Sequence, residues 1–380
     1  MRADPLVDPP EYLDWHADAA TIAQWEETLR ASPERARRVA ALDDRELLTL
    51  YDGLVRARLE DRQLARWVRQ GRLAKAWLAT GEEATTIGPM HALQPVRDHL
   101  LPVIRNQSAL AAWGLAPESV FRTALGAGTA SSGGRDLHAG DAGRRCWAPV
   151  SAVGSMVPVA VGIALAEQRR ATGAVVLTWL GDGATKTGAA HEGLNLGGVR
   201  RVPLVVVIQS NGIALGTPLA AHQLAPDFRD WPAMYGWHDG GAFDGNHVLD
   251  AWAATAHAVA HARAGGGPVL LEGRTFRFGG HATHDADAAR MLVPQAHWAA
   301  WAAREPIGCY AAWLQARRGF DAAVLQARED LLQHDVTAAA ERAWQEAQVP
   351  TDPRVAVGGV MHGAADSRRT ANLRAPGRDP

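Results

Sequence analysis

Apolar positions along the chain gather into two kinds of stretch. The segments GAVVLTWL (173–180), VPLVVVIQ (202–209) and PVLLEGRTF (268–276) are short and rich in β-branched residues, the pattern of buried strands. Between the first two, residues 187–199 carry Ala, His, Glu, Leu and Asn with few β-branched side chains, which predicts a helix. Strand, helix and strand in that order predict a right-handed crossover unit and an α/β fold. The pattern also predicts a helix pair over 43–70, a helix over 157–170 whose ALAEQRR end is its solvated face, and an Ala- and His-rich helix over 246–264. Residues 1–42 are Pro- and charge-rich and read as an arm, extended or in short helices, that wraps a partner. Residues 43–345 read as one large domain, and 346–380 as a polar, disordered tail. Residues 126–143 hold many Gly and Ser and read as a loop that is mobile without a ligand.

Composition removes some functions and selects none. With 39 basic and 41 acidic side chains and a net charge of −2, there is no electrostatic case for nucleic acid or a membrane surface. No run approaches the ~18 apolar residues of a membrane span, and no N-terminal segment reads as a signal peptide. The two cysteines, Cys146 and Cys309, have no metal or redox spacing, which fits a reducing cytoplasm. The 14 tryptophans fall mostly in Ala-rich helical stretches and read as packing or interface residues.

The chemistry concentrates where the strand runs end. Asp182 stands between Gly181 and Gly183 after the first run, and Asn211 follows the second run 29 positions later. Residues at the carboxyl ends of parallel strands face the ligand crevice of open α/β sheets. Neighbouring strands lie ~5 Å apart, so the two side chains can converge on one ion. A carboxylate and an amide carbonyl are hard oxygen ligands suited to Mg²⁺, which leaves its other positions to phosphate and water. The flanking glycines let backbone approach a phosphate closely. Neither GxGxxG nor a P-loop is present, because Gly188 comes too late and Lys186 lacks the directly preceding glycine that a P-loop requires.

The GDG element followed by about 27 residues and an Asn resembles the thiamine diphosphate motif. Its continuation GIALGTP resembles alpha subunits of the 2-oxoacid dehydrogenases. Further elements follow in that family's order: YDGLVRARLEDRQL, GEEA at 81–84, VIRNQ around Arg105, GGRDLH ending at His138, VGSMVPVAVGIALA from Val153, FDGNHV from Phe243, GPVLLEGRTFRFGGHATHD from Gly267 and REPIGCY from Arg304. The resemblance spans about residues 45–320. It implies a thiamine diphosphate-binding fold with a mostly parallel twisted sheet and helices on both faces. It further implies Mg²⁺ held by the Asp182 and Asn211 side chains and the Ile213 carbonyl, and a diphosphate gripped by Arg105. Cofactor contacts are implied at Ser151, Val153, Gly183, Ala184 and Gln209. His281, after Gly279 and Gly280, matches the active-site histidine, which orients the cofactor and assists proton transfer. His138 matches a loop position near the cofactor, while His191 and Glu192 lie on the crossover helix and read equally as packing or subunit contacts and as chemistry.

Departures from the family pattern narrow these expectations. A tyrosine that usually precedes the diphosphate arginine is Ile104 here. Trp77 replaces a histidine of pyruvate-specific relatives, and a bulky apolar wall there favours a branched-chain acyl group over a methyl. Ser155 and Met156 replace residues of a potassium site near Ser151. Ala282 and His284 replace regulatory serines, which excludes phosphorylation at those positions.

The resembled family takes the glutamate that activates the aminopyrimidine ring from a beta subunit. The expectation is therefore an alpha2beta2 enzyme with the site at the subunit interface, decarboxylating a small 2-oxo acid and passing the acyl group to a lipoyl arm on a separate acyltransferase. Pyruvate dehydrogenase and acetoin dehydrogenase alpha subunits are the alternatives, and a non-catalytic cofactor-binding partner is a further one.

Overall fold

A computed structural model describes residues 3–349. Most of the polar tail expected over 346–380, including everything after Gly358, lies outside the described residues. Among the described residues, no helix is long and apolar enough to cross a membrane.

Five parallel strands form the central sheet: β1 (His99–Leu101), β2 (Val176–Gly181), β3 (Leu204–Ser210), β4 (His238–Asp244) and β5 (Val269–Arg274), in the spatial order β1-β2-β3-β5-β4. A parallel sheet must be covered on both faces, and the strand residues divide accordingly. Leu177, Trp179, Val205, Val207, Val269 and Leu271 enter one core, while Val176, Leu180, Val206, Ile208 and Leu270 enter the other. This period-two division explains why the strands read as continuous apolar runs.

The larger core lies under α1 (Ala19–Arg30), α2 (Pro33–Ala40), α3 (Asp44–Arg69), α4 (Glu83–His91) and the later helices. The smaller core lies under α5 (Met156–Arg169) and α6 (Gly188–Arg200). Helices α7 (Val248–Arg263), α8 (Pro306–Arg318) and α9 (Ala322–Ala347) return to the larger core.

The expected helix pair over 43–70 is instead the single 26-residue helix α3. Asp43 and Glu46 form a reciprocal capping box at its start. Gly53 lies inside it, where a Cβ would stand 2.7 Å from Ile87 Cγ2, so this glycine admits α4 rather than breaking α3. Short helices of residues 1–42 pack on the chain's own body. Trp25 is buried and stacks on His247, with ring centroids 3.8 Å apart.

Candidate active site

The site is assembled where β2 and β3 end. Gly181 is paired with Gln209 in the parallel register, so Asp182 and Asn211 leave neighbouring strands at nearly the same level. Thr187, whose hydroxyl accepts from the Ala190 N–H, caps the start of the crossover helix α6. The loop between Asp182 and that cap is tight. A Cβ on Gly183 would lie 2.4 Å from that of Ala214, and Gly212 has φ of +80°, the left-handed region that glycine reaches without strain.

Asp182 is 3% exposed. Its Oδ1 accepts from the Gly183 N–H at 2.7 Å and its Oδ2 from the Gly212 N–H at 2.8 Å. Burial raises its carboxyl above the ordinary range, against those two backbone donors. Asn211 donates from Nδ2 to Glu82 Oε1 at 3.0 Å, and its Oδ1 accepts from the Ile213 N–H at 3.1 Å. Asn211 and Ile213 border a small cleft with Phe276, Arg277, Gly279 and Trp298.

Two cationic side chains, Arg105 and Arg277, stand near His281. Arg105 follows β1 in a single 3-10 turn (Ile104–Asn106). Its Nη1 donates to the Leu78 carbonyl at 2.5 Å and its Nη2 to the His281 carbonyl at 2.9 Å, with His281 Nδ1 at 3.5 Å from the same nitrogen. Burial lowers the Arg105 pKa to about 10, with a further contribution from Arg277, so the guanidinium is charged at neutral pH. Burial and then the Arg105 and Arg277 charges push His281 down to about 4, leaving its ring neutral. Asp285 fixes the backbone of this loop, accepting from the His281 N–H at 3.2 Å and the Ala282 N–H at 2.8 Å.

The loop carrying Trp77 is pinned on both sides of that residue. The Thr283 N–H donates to Ala76 O at 2.9 Å, and the Ala76 N–H returns to Thr283 Oγ1 at 3.1 Å. After Trp77 come the Arg105 bond to Leu78 and a 2.6 Å bond from the Ala79 N–H to Asp61 Oδ2. Trp77 itself is half-buried, with Lys75 Nζ 4.9 Å from its ring centroid.

Asp182, Asn211, Gly183, Ala184, Ile213 and Gln209 are thus carried at or just past the ends of β2 and β3, and Glu82 bridges Asn211 to Arg105. Ser151 and Val153 stand exposed just before α5, whose preceding Gly154 approaches the Ala184–Thr187 segment. Ile104 is half-buried beside Arg105. His138 is buried, with Nδ1 2.8 Å from Asp136 Oδ1. His191 packs on Trp231 and contacts the Tyr235 hydroxyl, a packing role. Sequence reasoning missed Glu82, Asp61, Arg277 and Thr283. The GEEA and FRFGGHATHD elements contain three of the four, but only the tertiary contacts give them a role.

A divalent cation bound to a diphosphate fits this donor set. Among the described residues no cluster of three or more His, Cys, Asp or Glu is arranged to hold a metal. One carboxylate and one amide oxygen, with neighbouring backbone, suit an ion that takes its remaining oxygens from phosphate. Buried Gln209 Nε2 near the end of β3 has no hydrogen-bond partner among the described residues, a donor available to an anion. Arg105 and Arg277 supply the positive field.

Residues 51–351 match the dehydrogenase E1 component family. The 3-methyl-2-oxobutanoate dehydrogenase subunit alpha of Mycobacterium tuberculosis is 35% identical over 276 residues, 72% of each chain. The 2-oxoisovalerate dehydrogenase subunit alpha of Bacillus subtilis is 29% identical over 65% of this chain and 76% of its own. The pyruvate dehydrogenase E1 component subunit alpha of Zymomonas mobilis is 29% identical over 64% of this chain and 69% of its own. With the parallel sheet, the paired strand ends and a family match over most of its length, the chain belongs to the dehydrogenase E1 component family.

Proposed function

We propose that this chain is the alpha subunit of the decarboxylating component of a 2-oxoacid dehydrogenase complex, with a branched-chain 2-oxo acid as substrate. The observation that carries the reading is the pairing of Asp182 and Asn211 at adjacent strand ends, joined through Glu82 to the Arg105 that holds the His281 loop. Asp182, Asn211 and the Ile213 carbonyl hold Mg²⁺. Arg105, with Gln209, Ser151, Val153, Gly183 and Ala184, holds the diphosphate of thiamine diphosphate. When bound, that cofactor supplies the electron sink for decarboxylation.

The chain's own residues bind, orient and move protons. Arg105 neutralises the diphosphate and, through the His281 carbonyl, fixes the loop that presents the imidazole. Neutral His281 can accept a proton at Nδ1 or Nε2 and return it, the property needed while the acyl group passes to a lipoyl arm. Trp77 and Ile104 form an apolar wall for the acyl chain.

The activating carboxylate for the aminopyrimidine ring comes from a beta subunit in an alpha2beta2 assembly, and the acceptor from a lipoyl-bearing acyltransferase in the cytoplasm. The test is reconstitution with the beta subunit, thiamine diphosphate and Mg²⁺, and a panel of branched 2-oxo acids, pyruvate and acetoin. Turnover of the branched acids only with both subunits is expected. Turnover by this chain alone, or preference for pyruvate or acetoin, overturns the corresponding part of the reading.

A further inference from the structure

Glu82 is wholly buried yet lies between the two halves of the site. Its Oε1 accepts from Asn211 Nδ2 at 3.0 Å, and its Oε2 lies 3.6 Å from Arg105 Nε with no hydrogen bond among the described residues. An amide side chain presents either its oxygen or its NH₂ to a given point. A carboxylate can only accept when ionised, so it dictates which end faces it. With Nδ2 committed to Glu82, Asn211 must turn Oδ1 towards the Ile213 N–H and the space beside Asp182. The same carboxylate offsets the charge of Arg105 within a buried site.

We propose that Glu82 is a positioning residue that sets the orientation of the Asn211 amide for metal binding and ties it to the Arg105 side of the site. The proposal rests on the Mg²⁺ and thiamine diphosphate reading above. Hydrogen-bond partners of metal ligands typically change metal affinity by ~10–100-fold, which sets the scale expected here.

The experiment measures Mg²⁺ dependence of thiamine diphosphate binding to the reconstituted alpha–beta enzyme, by quenching of intrinsic tryptophan fluorescence. Glu82→Ala should weaken the apparent Mg²⁺ affinity by at least about tenfold. Glu82→Gln, whose amide presents either end and so no longer dictates which end of Asn211 faces it, should lose less Mg²⁺ affinity than Glu82→Ala but bind clearly more weakly than the parent. If Glu82→Ala does not assemble, Glu82→Leu, of similar volume and without an acceptor, carries the same expectation.

Because Glu82 acts through Asn211, the double variant Glu82→Ala/Asn211→Ala should bind Mg²⁺ no more weakly than Asn211→Ala alone. Parent-like Mg²⁺ affinity in Glu82→Ala or Glu82→Leu, equal losses in the Gln and Ala variants, or additive losses in the double variant each overturn the proposal. Failure of the parent enzyme to bind thiamine diphosphate with Mg²⁺ overturns the functional reading instead.

Discussion

Arg105 Nη2 donates to the His281 carbonyl at 2.9 Å and stands 3.5 Å from the Nδ1 of the same residue. One guanidinium thereby fixes a loop 176 residues away in sequence and depresses the proton affinity of the imidazole on it. Replacing Arg105 by Lys retains the charge but not the fork that reaches Leu78 and His281 together. Thiamine diphosphate affinity of the reconstituted enzyme should fall by about 1.5–3 kcal/mol, the value of hydrogen bonds to charged groups. Calorimetric titration gives the constant, and an unchanged value would remove Arg105 from the diphosphate site.

His281 should titrate near pH 4 in the isolated chain, far below an ordinary histidine. Inorganic pyrophosphate should raise that midpoint, because an anion beside Arg105 and Arg277 offsets the two charges that add to burial in keeping the ring neutral. Proton NMR of the ring, assigned with His281→Gln, reports both values. A midpoint near 6.5 that pyrophosphate leaves in place contradicts the electrostatic account.

Asp182→Asn keeps the shape of the side chain and removes its charge. The Mg²⁺ requirement for cofactor binding should rise by more than the ~10–100-fold characteristic of a partner one bond removed from the metal. The thermal midpoint of the apo chain should also fall, since both carboxylate oxygens accept backbone N–H bonds and the amide NH₂ must face either Gly183 or Gly212. Parallel Mg²⁺ titrations and melting curves separate the two effects.

Glu60 is buried on α3 with neither carboxylate oxygen hydrogen-bonded, and burial raises its pKa to about 8. Between the ordinary value of 4.5 and about 8, the folded chain keeps a proton that the unfolded chain releases. Its stability is therefore greatest below the unfolded value and declines as pH rises through that window, by up to ~1.4 kcal/mol per pH unit. Glu60→Gln abolishes this group's share. Urea denaturation at pH 5 and pH 8 should show the parent losing stability that the variant keeps, while the smaller window of Asp61, raised to about 7, remains in both.

Gly81→Ala tests the backbone under the site. Gly81 has φ of +96°, and a Cβ there would meet the Phe278 ring at 2.4 Å and the Phe276 carbonyl at 2.5 Å. Strain and overpacking together should cost about 2 kcal/mol or more, read as a lower denaturation midpoint. A neutral substitution would mean that the loops at 76–81 and 276–285 separate freely.

The β2–α6–β3 unit was readable because its strands are buried on both faces and its crossover helix holds a single β-branched residue, Val199. Edge strand β4, HDGGAFD, was not, since it is half exposed and contains a bulge between Asp239 and Ala242. Three-residue β1 is too short to show a period. At the site, Asp182, Asn211, Arg105 and His281 stood out through motif and spacing. Glu82 and Thr283 did not, because their roles arise from partners 129 and 207 residues distant.

The double pinning of the Trp77 loop has a consequence for how such an enzyme can diversify. Ala76 is tied to Thr283, and Leu78 to Arg105, through bonds to main-chain atoms of the 76–78 segment. The side chain between them can therefore be exchanged while the loop keeps its course. On the functional reading proposed above, a single codon can reset the acyl chain accepted and leave the cofactor machinery as it was.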